Sequence, residues 1–186
     1  MVDLKTQYDF IKDEINQGIQ QVLNSSLFIN GPAVKESQND LESYLGVKHV
    51  IPCANGTDSL QIALMSLKLK PGDEVITSDF AFVSVAEVIS ILNLKPVLVD
   101  INPDTFNIDP LAIEKAITAR TKAIIPVHLF GQSADMEQIL VLAKKYNLFV
   151  IEDNAQAIGA NYTFSDGTIA KTGTLGNVSA TSFFPS

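Results

Sequence analysis

Sulfur and soft ligands are scarce in this chain. Cys53 is the only cysteine, and His49 and His128 are the only histidines among 186 residues. An internal disulfide is therefore impossible, and neither histidine has a second soft ligand at metal-site spacing. A lone thiol suits a reducing compartment, so the expectation is a cytoplasmic protein without a metal site. Tryptophan is absent, and ten Phe and four Tyr supply the aromatic bulk. Positive charge is also short: 13 Lys and Arg stand against 21 Asp and Glu, a net charge of −8. Such a surface repels polyphosphate backbones and argues against a nucleic-acid partner. A small anion is still within reach, because one helix end or one basic side chain overrides the global sign locally. Long apolar runs are missing too. The most apolar stretch, Ala81 to Leu92, carries Glu87 in its middle and falls short of the roughly 20 apolar residues that cross a bilayer. The first ten residues lack the apolar core of a signal peptide. Neither a membrane span nor a leader is expected.

What is present is ample core material, 46% hydrophobic residues, arranged in two textures. In the first, Phe10, Ile11, Ile15, Ile19, Val22 and Leu23 recur at spacings of three and four, the pattern of a helix with one apolar face. Asn24-Ser25-Ser26 ends it, and Phe28 to Pro32 turns the chain. A second amphipathic helix follows, with Val34, Leu41, Tyr44 and Leu45 expected inward and Gly46 as its stop. From Lys48 onward short apolar runs alternate with helix-length segments. Strands are expected at Val47–Cys53, Glu74–Thr77, Pro96–Val99, Thr121–Val127, Leu148–Glu152 and Val178–Phe183. Helices are expected at Asp58–Leu67, Phe82–Leu92, from Asp109-Pro110, and at Ser133–Tyr146. Asp109 caps and Pro110 takes the first helical position. Residues 159–176, with Asp166-Gly167, look like a hairpin or loop excursion. Alternating strands and helices predict crossover units and a largely parallel sheet, and strands apolar throughout fit one covered on both faces. The expected division is a helical segment, 1–46, and an α/β domain, 47–186.

In an open parallel α/β sheet, ligands bind at the carboxyl ends of the strands. Four such ends carry candidate chemistry. At Ala54-Asn55-Gly56-Thr57-Asp58, Gly56 allows close backbone approach and Thr57 adds a hydroxyl. The amides beyond them are the free donors of a helix N-terminus, suited to a phosphate monoester. Taken alone, a turn with an N-cap explains these residues slightly better. Phe82, just past a strand, offers a ring for a flat ligand, though a Phe at a helix start is more often core. Glu152-Asp153-Asn154-Ala155-Gln156 runs an apolar strand into two carboxylates. Asp153 at the sheet mouth calls for a cation such as a protonated heterocyclic nitrogen, and Gln156 can bond another edge of the same ligand. The alternative, an Asp capping the next helix, is weaker. Ser182, after the last strand, is a further hydroxyl for the phosphate. His128, also past a strand, reads as a satisfied structural histidine before it reads as a ligand contact.

These sites, in this order, resemble the DegT/DnrJ/EryC1/StrS nucleotide-sugar aminotransferases, which are fold-type-I pyridoxal-phosphate enzymes. The resemblance covers essentially the whole chain: Val2-Asp3-Leu4-Lys5, Ile29-Asn30-Gly31-Pro32, Cys53 to Asp58, Pro71 to Thr77, Val127 to Gln132, Glu152 to Gln156 and Ser182 to Ser186. Each motif is moderately specific, and the ordered set is highly so. The resemblance implies a fold-type-I large domain, a mostly parallel seven-stranded sheet between helices, incomplete in this stretch. It implies pyridoxal 5'-phosphate as cofactor. Gly56, Thr57 and Ser182 would hold its phosphate, Phe82 would stack on its ring, Asp153 would pair with its ring nitrogen and Gln156 would bond its phenolic oxygen. It also implies transfer of an amino group from glutamate to a nucleotide-linked keto sugar, loosely a 3-keto sugar, for surface polysaccharide or deoxysugar synthesis, in a homodimer whose active site lies at the interface. The loop 28–32 is the candidate site wall.

One departure stands out. In this family Ser-Phe-Phe-Pro-Ser is followed directly by the Schiff-base lysine, and the sequence reaches Ser186. These 186 residues are expected to be part of a longer protein and inactive by themselves. Lysine in the next position would make an aminotransferase and histidine a deoxysugar dehydratase. A non-catalytic regulatory relative is the third alternative.

Overall fold

The structure is a computed structural model and describes residues 3–184. Val2 and the pair Pro185-Ser186, which belong to the motifs above, lie outside the described residues. The chain divides into two compact units, Met1–Pro52 and Cys53–Ser186, so the expected division after Gly46 differs from this boundary by residues 47–52. Among the described residues no helix is long and apolar enough to cross a membrane.

The first unit holds α1 (Leu4–Ser25) and α2 (Pro32–Leu45). Asp3 caps α1, its Oδ1 accepting the Thr6 N–H at 3.0 Å and its Oδ2 the Thr6 hydroxyl at 2.8 Å. Gly31 precedes Pro32 because a Cβ there would run into the Leu27 carbonyl oxygen. Gly46 ends α2 at φ 71, in the left-handed cap position anticipated for it. Two expectations fail. No side chain of α1 or α2 is buried; Val34 and Tyr44 are exposed, and Leu41 and Leu45 are only partly covered. Periodicity marks an apolar face, but it does not supply the surface that face meets. Residues 47–53 form no strand. The Glu42 side chain takes the Val50 N–H at 3.1 Å and its carbonyl takes the Val47 N–H at 3.1 Å, while Pro52 has no N–H to give. The segment is thus tied to the end of α2 rather than to a strand partner.

The second unit runs α3 (Gly56–Ser66), β1 (Glu74–Ser78), α4 (Ser84–Ile91), β2 (Lys95–Val99), α5 (Pro110–Ala116), β3 (Thr121–Ile125), α6 (Met136–Tyr146), β4 (Phe149–Asp153), β5 (Asn161–Thr163), β6 (Ile169–Lys171) and β7 (Val178–Ala180). Five strands make a parallel sheet in the order β2-β1-β3-β4-β7, the α/β architecture expected, with five of the seven strands expected of the whole domain. Alternation along the strands feeds two cores. Val75, Ile125 and Ile151 meet Leu60 and Leu64 of α3 and Val85 and Ile89 of α4 on one face. Ile76, Ile124 and Val150 meet Ile113 of α5 and Ile139 of α6 on the other. Each such Leu or Ile fully withdrawn from water contributes about 1.5–3 kcal/mol. Asp109 caps α5 through the Leu111 N–H at 2.9 Å, with Pro110 in the first turn. The expected excursion is an antiparallel hairpin, β5–β6, closed at Asp166-Gly167 with Gly167 at φ 85. The last strand is shorter than expected. β7 stops at Ala180, opposite Asp153, because β4 ends there and leaves Thr181 to Phe184 without a ladder partner.

Candidate cofactor site

The segments that follow β1, β3, β4 and β7 gather at the carboxyl edge of the sheet, and α3 packs against β4 and β7 on one face of it. At the start of α3, Asn55 is the N-cap. Its Oδ1 accepts the Asp58 N–H at 2.9 Å, and its Nδ2 donates to the Asp58 carboxylate at 3.1 Å. The turn-and-cap reading is therefore true of Asn55 and Asp58 themselves. It does not account for Gly56 and Thr57. The first helical bond runs from Ser59 N to Asn55 O at 3.0 Å, so the amides of Gly56 and Thr57 have no helical acceptor and sit at the positive end of the helix dipole. Ser182 joins them. A Cβ built on Gly56 would lie 2.9 Å from Ser182 Cβ and 3.3 Å from its Oγ. Two residues more than a hundred positions apart in sequence thus meet so closely that only glycine fits at position 56 without displacing the hydroxyl.

Asp153 and Glu152, adjacent at the end of β4, have opposite fates. Asp153 shares strand parity with Ile151 and so faces the α3 side, the side of Gly56 and Ser182. It is 5% exposed. Among the described residues its carboxylate accepts one hydrogen bond, from the Ala155 N–H at 3.1 Å, and forms no ion pair with Lys, Arg or His. Burial raises its pKa above the ordinary aspartate value, against the smaller pulls of the Ala155 N–H and His128. Glu152 points the other way and is fully enclosed. It accepts from His128 Nε2 at 2.9 Å and from the backbone amides of Gly173, Leu175 and Gly176 at 2.8, 2.7 and 2.6 Å. Burial pushes its pKa up, but these donors outweigh burial and hold it below the usual glutamate value. His128 takes the Ala134 N–H on Nδ1 at 3.1 Å, so its proton is on Nε2, toward Glu152. It is the satisfied structural histidine of the sequence reading.

Ala180 pairs with Asp153, and Ser182 lies two residues further along. Two residues of extended chain span at most roughly 7 Å, which bounds how far along the chain Ser182 lies from the residue that pairs with the buried carboxylate. Gln156 Oε1 accepts the Phe130 N–H at 2.9 Å, leaving its Nε2 as a donor. Phe82 follows β1 and is 69% exposed. Its ring makes no aromatic contact with other described residues, and it lies two strands from β4. Sequence reasoning treated Glu152 and Asp153 as one acidic pair, although period-two alternation already separates them. The 173–176 loop reads in the sequence only as part of the 159–176 excursion, with no partner for Glu152 implied. Glycines at 173 and 176 were the available signal there, since a Cβ on either would strike Asn154 or Val150.

Comparison with known proteins shows the family. The model of the DegT/DnrJ/EryC1/StrS aminotransferase family matches residues 9–186, and the chain belongs to that family. It is 51% identical to the UDP-2-acetamido-2-deoxy-3-oxo-D-glucuronate aminotransferase of Pseudomonas aeruginosa, over all of this chain and 50% of that protein. It is 50% identical to a pleiotropic regulatory protein of Geobacillus stearothermophilus, over all of this chain and 48% of that protein. Among solved structures, a DegT DnrJ EryC1 StrS aminotransferase from Brucella abortus superposes with a TM-score of 0.92 at 41% identity, covering 99% of this chain and 50% of the other. NtdA of Bacillus subtilis, solved with bound cofactor PMP, superposes at 0.77 and 42% identity, covering 81% and 34%. The chain spans about half the length of the curated relatives it matches.

Proposed function

We propose that this chain is the cofactor-binding half of a pyridoxal-phosphate-dependent aminotransferase acting on a nucleotide-linked keto sugar. The observation that carries the reading is Asp153: a buried carboxylate with no ion pair among the described residues, at the same carboxyl edge of the sheet as the Gly56–Ser182 cradle. The residues fit the cofactor at both ends. Gly56 and Thr57 N–H groups and the Ser182 hydroxyl hold a phosphate. Asp153 meets a protonated ring nitrogen, an attraction of about 4 kcal/mol at 4 Å with an effective dielectric near 20. Gln156 donates to the phenolic oxygen, and Phe82 covers the ring. When bound, the cofactor supplies the electron sink and amino-group carrier of transamination, and Asp153 keeps the ring nitrogen protonated so that the sink is effective.

The same reading makes glutamate the amino donor and the acceptor a keto sugar on a nucleotide. A 3-keto sugar is favoured, since the Pseudomonas aeruginosa relative is named for a 3-oxo sugar. The protein works in the cytoplasm as a homodimer, in polysaccharide or deoxysugar synthesis. A regulatory role without catalysis is the second reading, favoured by the Geobacillus stearothermophilus relative. One experiment separates them. Pyridoxal phosphate is added to the full-length protein and the absorbance followed, then glutamate is added. A band near the visible edge that glutamate bleaches supports the aminotransferase, and a protein that develops no band overturns it. Reading the residue after Ser186 distinguishes transaminase (lysine) from dehydratase (histidine).

A further inference from the structure

Phe130 occupies the left-handed region, φ 57 and ψ 28, where Cβ crowds the following carbonyl and bulky residues are rare. Burial of the ring does not compensate, because the residue is 72% exposed. Backbone bonding holds the conformation instead. Gly131 follows at φ 80, the Gln132 N–H donates to Leu129 O at 3.0 Å, and the Phe130 N–H donates to Gln156 Oε1 at 2.9 Å. That last bond settles the orientation of the Gln156 amide. A backbone N–H can only donate, so the side-chain oxygen faces Phe130 and Nε2 is the end left for a ligand.

We infer that Phe130 is a positioning residue: its left-handed backbone aims an N–H at Gln156 and commits that amide to donate, never accept, toward the ring oxygen of the cofactor. This rests on the cofactor reading above. A donor beside the ring oxygen favours its ionised form, whereas the oxygen end of a flipped amide would favour the protonated phenol. The Phe130 backbone, rather than its ring, thereby helps set the pH at which the bound cofactor ionises. Unpaid strain at an exposed aromatic has a function on this account.

The test uses the full-length protein with pyridoxal phosphate alone. Three quantities are read: the cofactor's affinity, the pH at which its bound absorbance changes, and hydrogen exchange of the Phe130 amide in the cofactor-free protein. Phe130→Asn tolerates the left-handed region and lacks the ring, and Phe130→Val, β-branched, does not tolerate it. The asparagine variant is expected to match wild type in all three. The valine variant is expected to lose protection of the amide, to bind about three- to tenfold more weakly and to titrate at higher pH. Phe130→Ala, with the same conformational penalty in milder form, shows a smaller shift and keeps the comparison available if the valine variant does not fold. Gln156→Glu retains an acceptor for the Phe130 N–H but no donor, so it keeps the amide protected while raising the titration. A valine or alanine variant identical to wild type, or an asparagine variant as impaired as valine, overturns the inference. Wild-type protein that fails to bind the cofactor overturns the site reading and this inference with it. Wild-type binding that Asp153→Asn weakens and Phe130→Val does not overturns the inference alone.

Discussion

Two buried carboxylates stand at opposite ends of the same sheet and have been treated oppositely. Glu74 opens β1 at the amino edge. It is 2% exposed, and it is met by the Thr118 hydroxyl at 2.5 Å, Arg120 Nη2 at 2.7 Å and Lys95 Nζ at 3.2 Å. With Thr118 and then Arg120 as the largest influences, its pKa is lowered to about 2. Asp153 closes β4 at the carboxyl edge, is about as buried, and has one amide for company. Its pKa is raised by burial. A charge enclosed with its partners holds elements together; a charge enclosed without them carries a cost that protonation or a cationic partner relieves. Glu152, next to Asp153 but on the other sheet face, belongs with Glu74, because every donor it needs is present.

The contrast can be broken by substitution. The largest effect is expected from Glu152→Ala, which strands His128 and three backbone amides in the interior. A loss of about 3–5 kcal/mol in a denaturant titration is expected, and a loss below about 1 kcal/mol would mean that the charge is not what ties the 173–176 loop to the sheet. Next is Asp153→Asn. Without its cationic partner the charge is a burden, so the cofactor-free protein should melt at a higher temperature. In the full-length protein, on the proposed aminotransferase reading, turnover should fall about 10²–10³-fold. A variant that loses stability and keeps activity would place Asp153 with the structural carboxylates. Gly56→Ala pushes a methyl group into Ser182 and should weaken pyridoxal phosphate by about tenfold. Pyridoxal, which lacks the phosphate, should bind as before, and equal losses for both would move the cradle elsewhere. The smallest effects are read from pH. Glu74, with its folded pKa below the unfolded value, contributes stability that is full above pH 4.5 and is lost as pH falls toward about 2. Asp153, with its folded pKa raised, acts in reverse: stability is greatest below the ordinary aspartate value of 3.8 and declines as pH rises through the elevated one. Melting temperatures across acid pH should flatten at the low end in Glu74→Gln and at the high end in Asp153→Asn.

Much of the fold was legible because its signals are local. Gly46 at a helix stop, Asp109-Pro110 at a helix start and Asp166-Gly167 at a hairpin each act through their own backbone angles or the nearest amide. Residues 47–53 had the composition of a strand and failed because a strand needs a neighbour, and Glu42 offered bonds closer at hand. The apolar stripes of α1 and α2 were visible and their covering was not. Gly56, Thr57, Asp153 and Ser182 were legible as candidates because each follows or ends an element in a parallel sheet, and the structure brings Gly56 and Ser182 together. The separate task of Glu152 and the grip of Phe130 on Gln156 were not, since both depend on residues distant in the chain.

The amino-acid order by itself determined the alternation of strands and helices, their approximate ends, and hence that a glycine amide, a carboxylate and a hydroxyl would reach one edge of a parallel sheet. Only the tertiary structure decided which carboxylate found donors and which stayed alone. The donors of Glu152 come from 21 to 24 residues away, and those of Glu74 on Thr118 and Arg120 from 44 and 46. Pairing over such distances is made by packing, and no local pattern of residues encodes it.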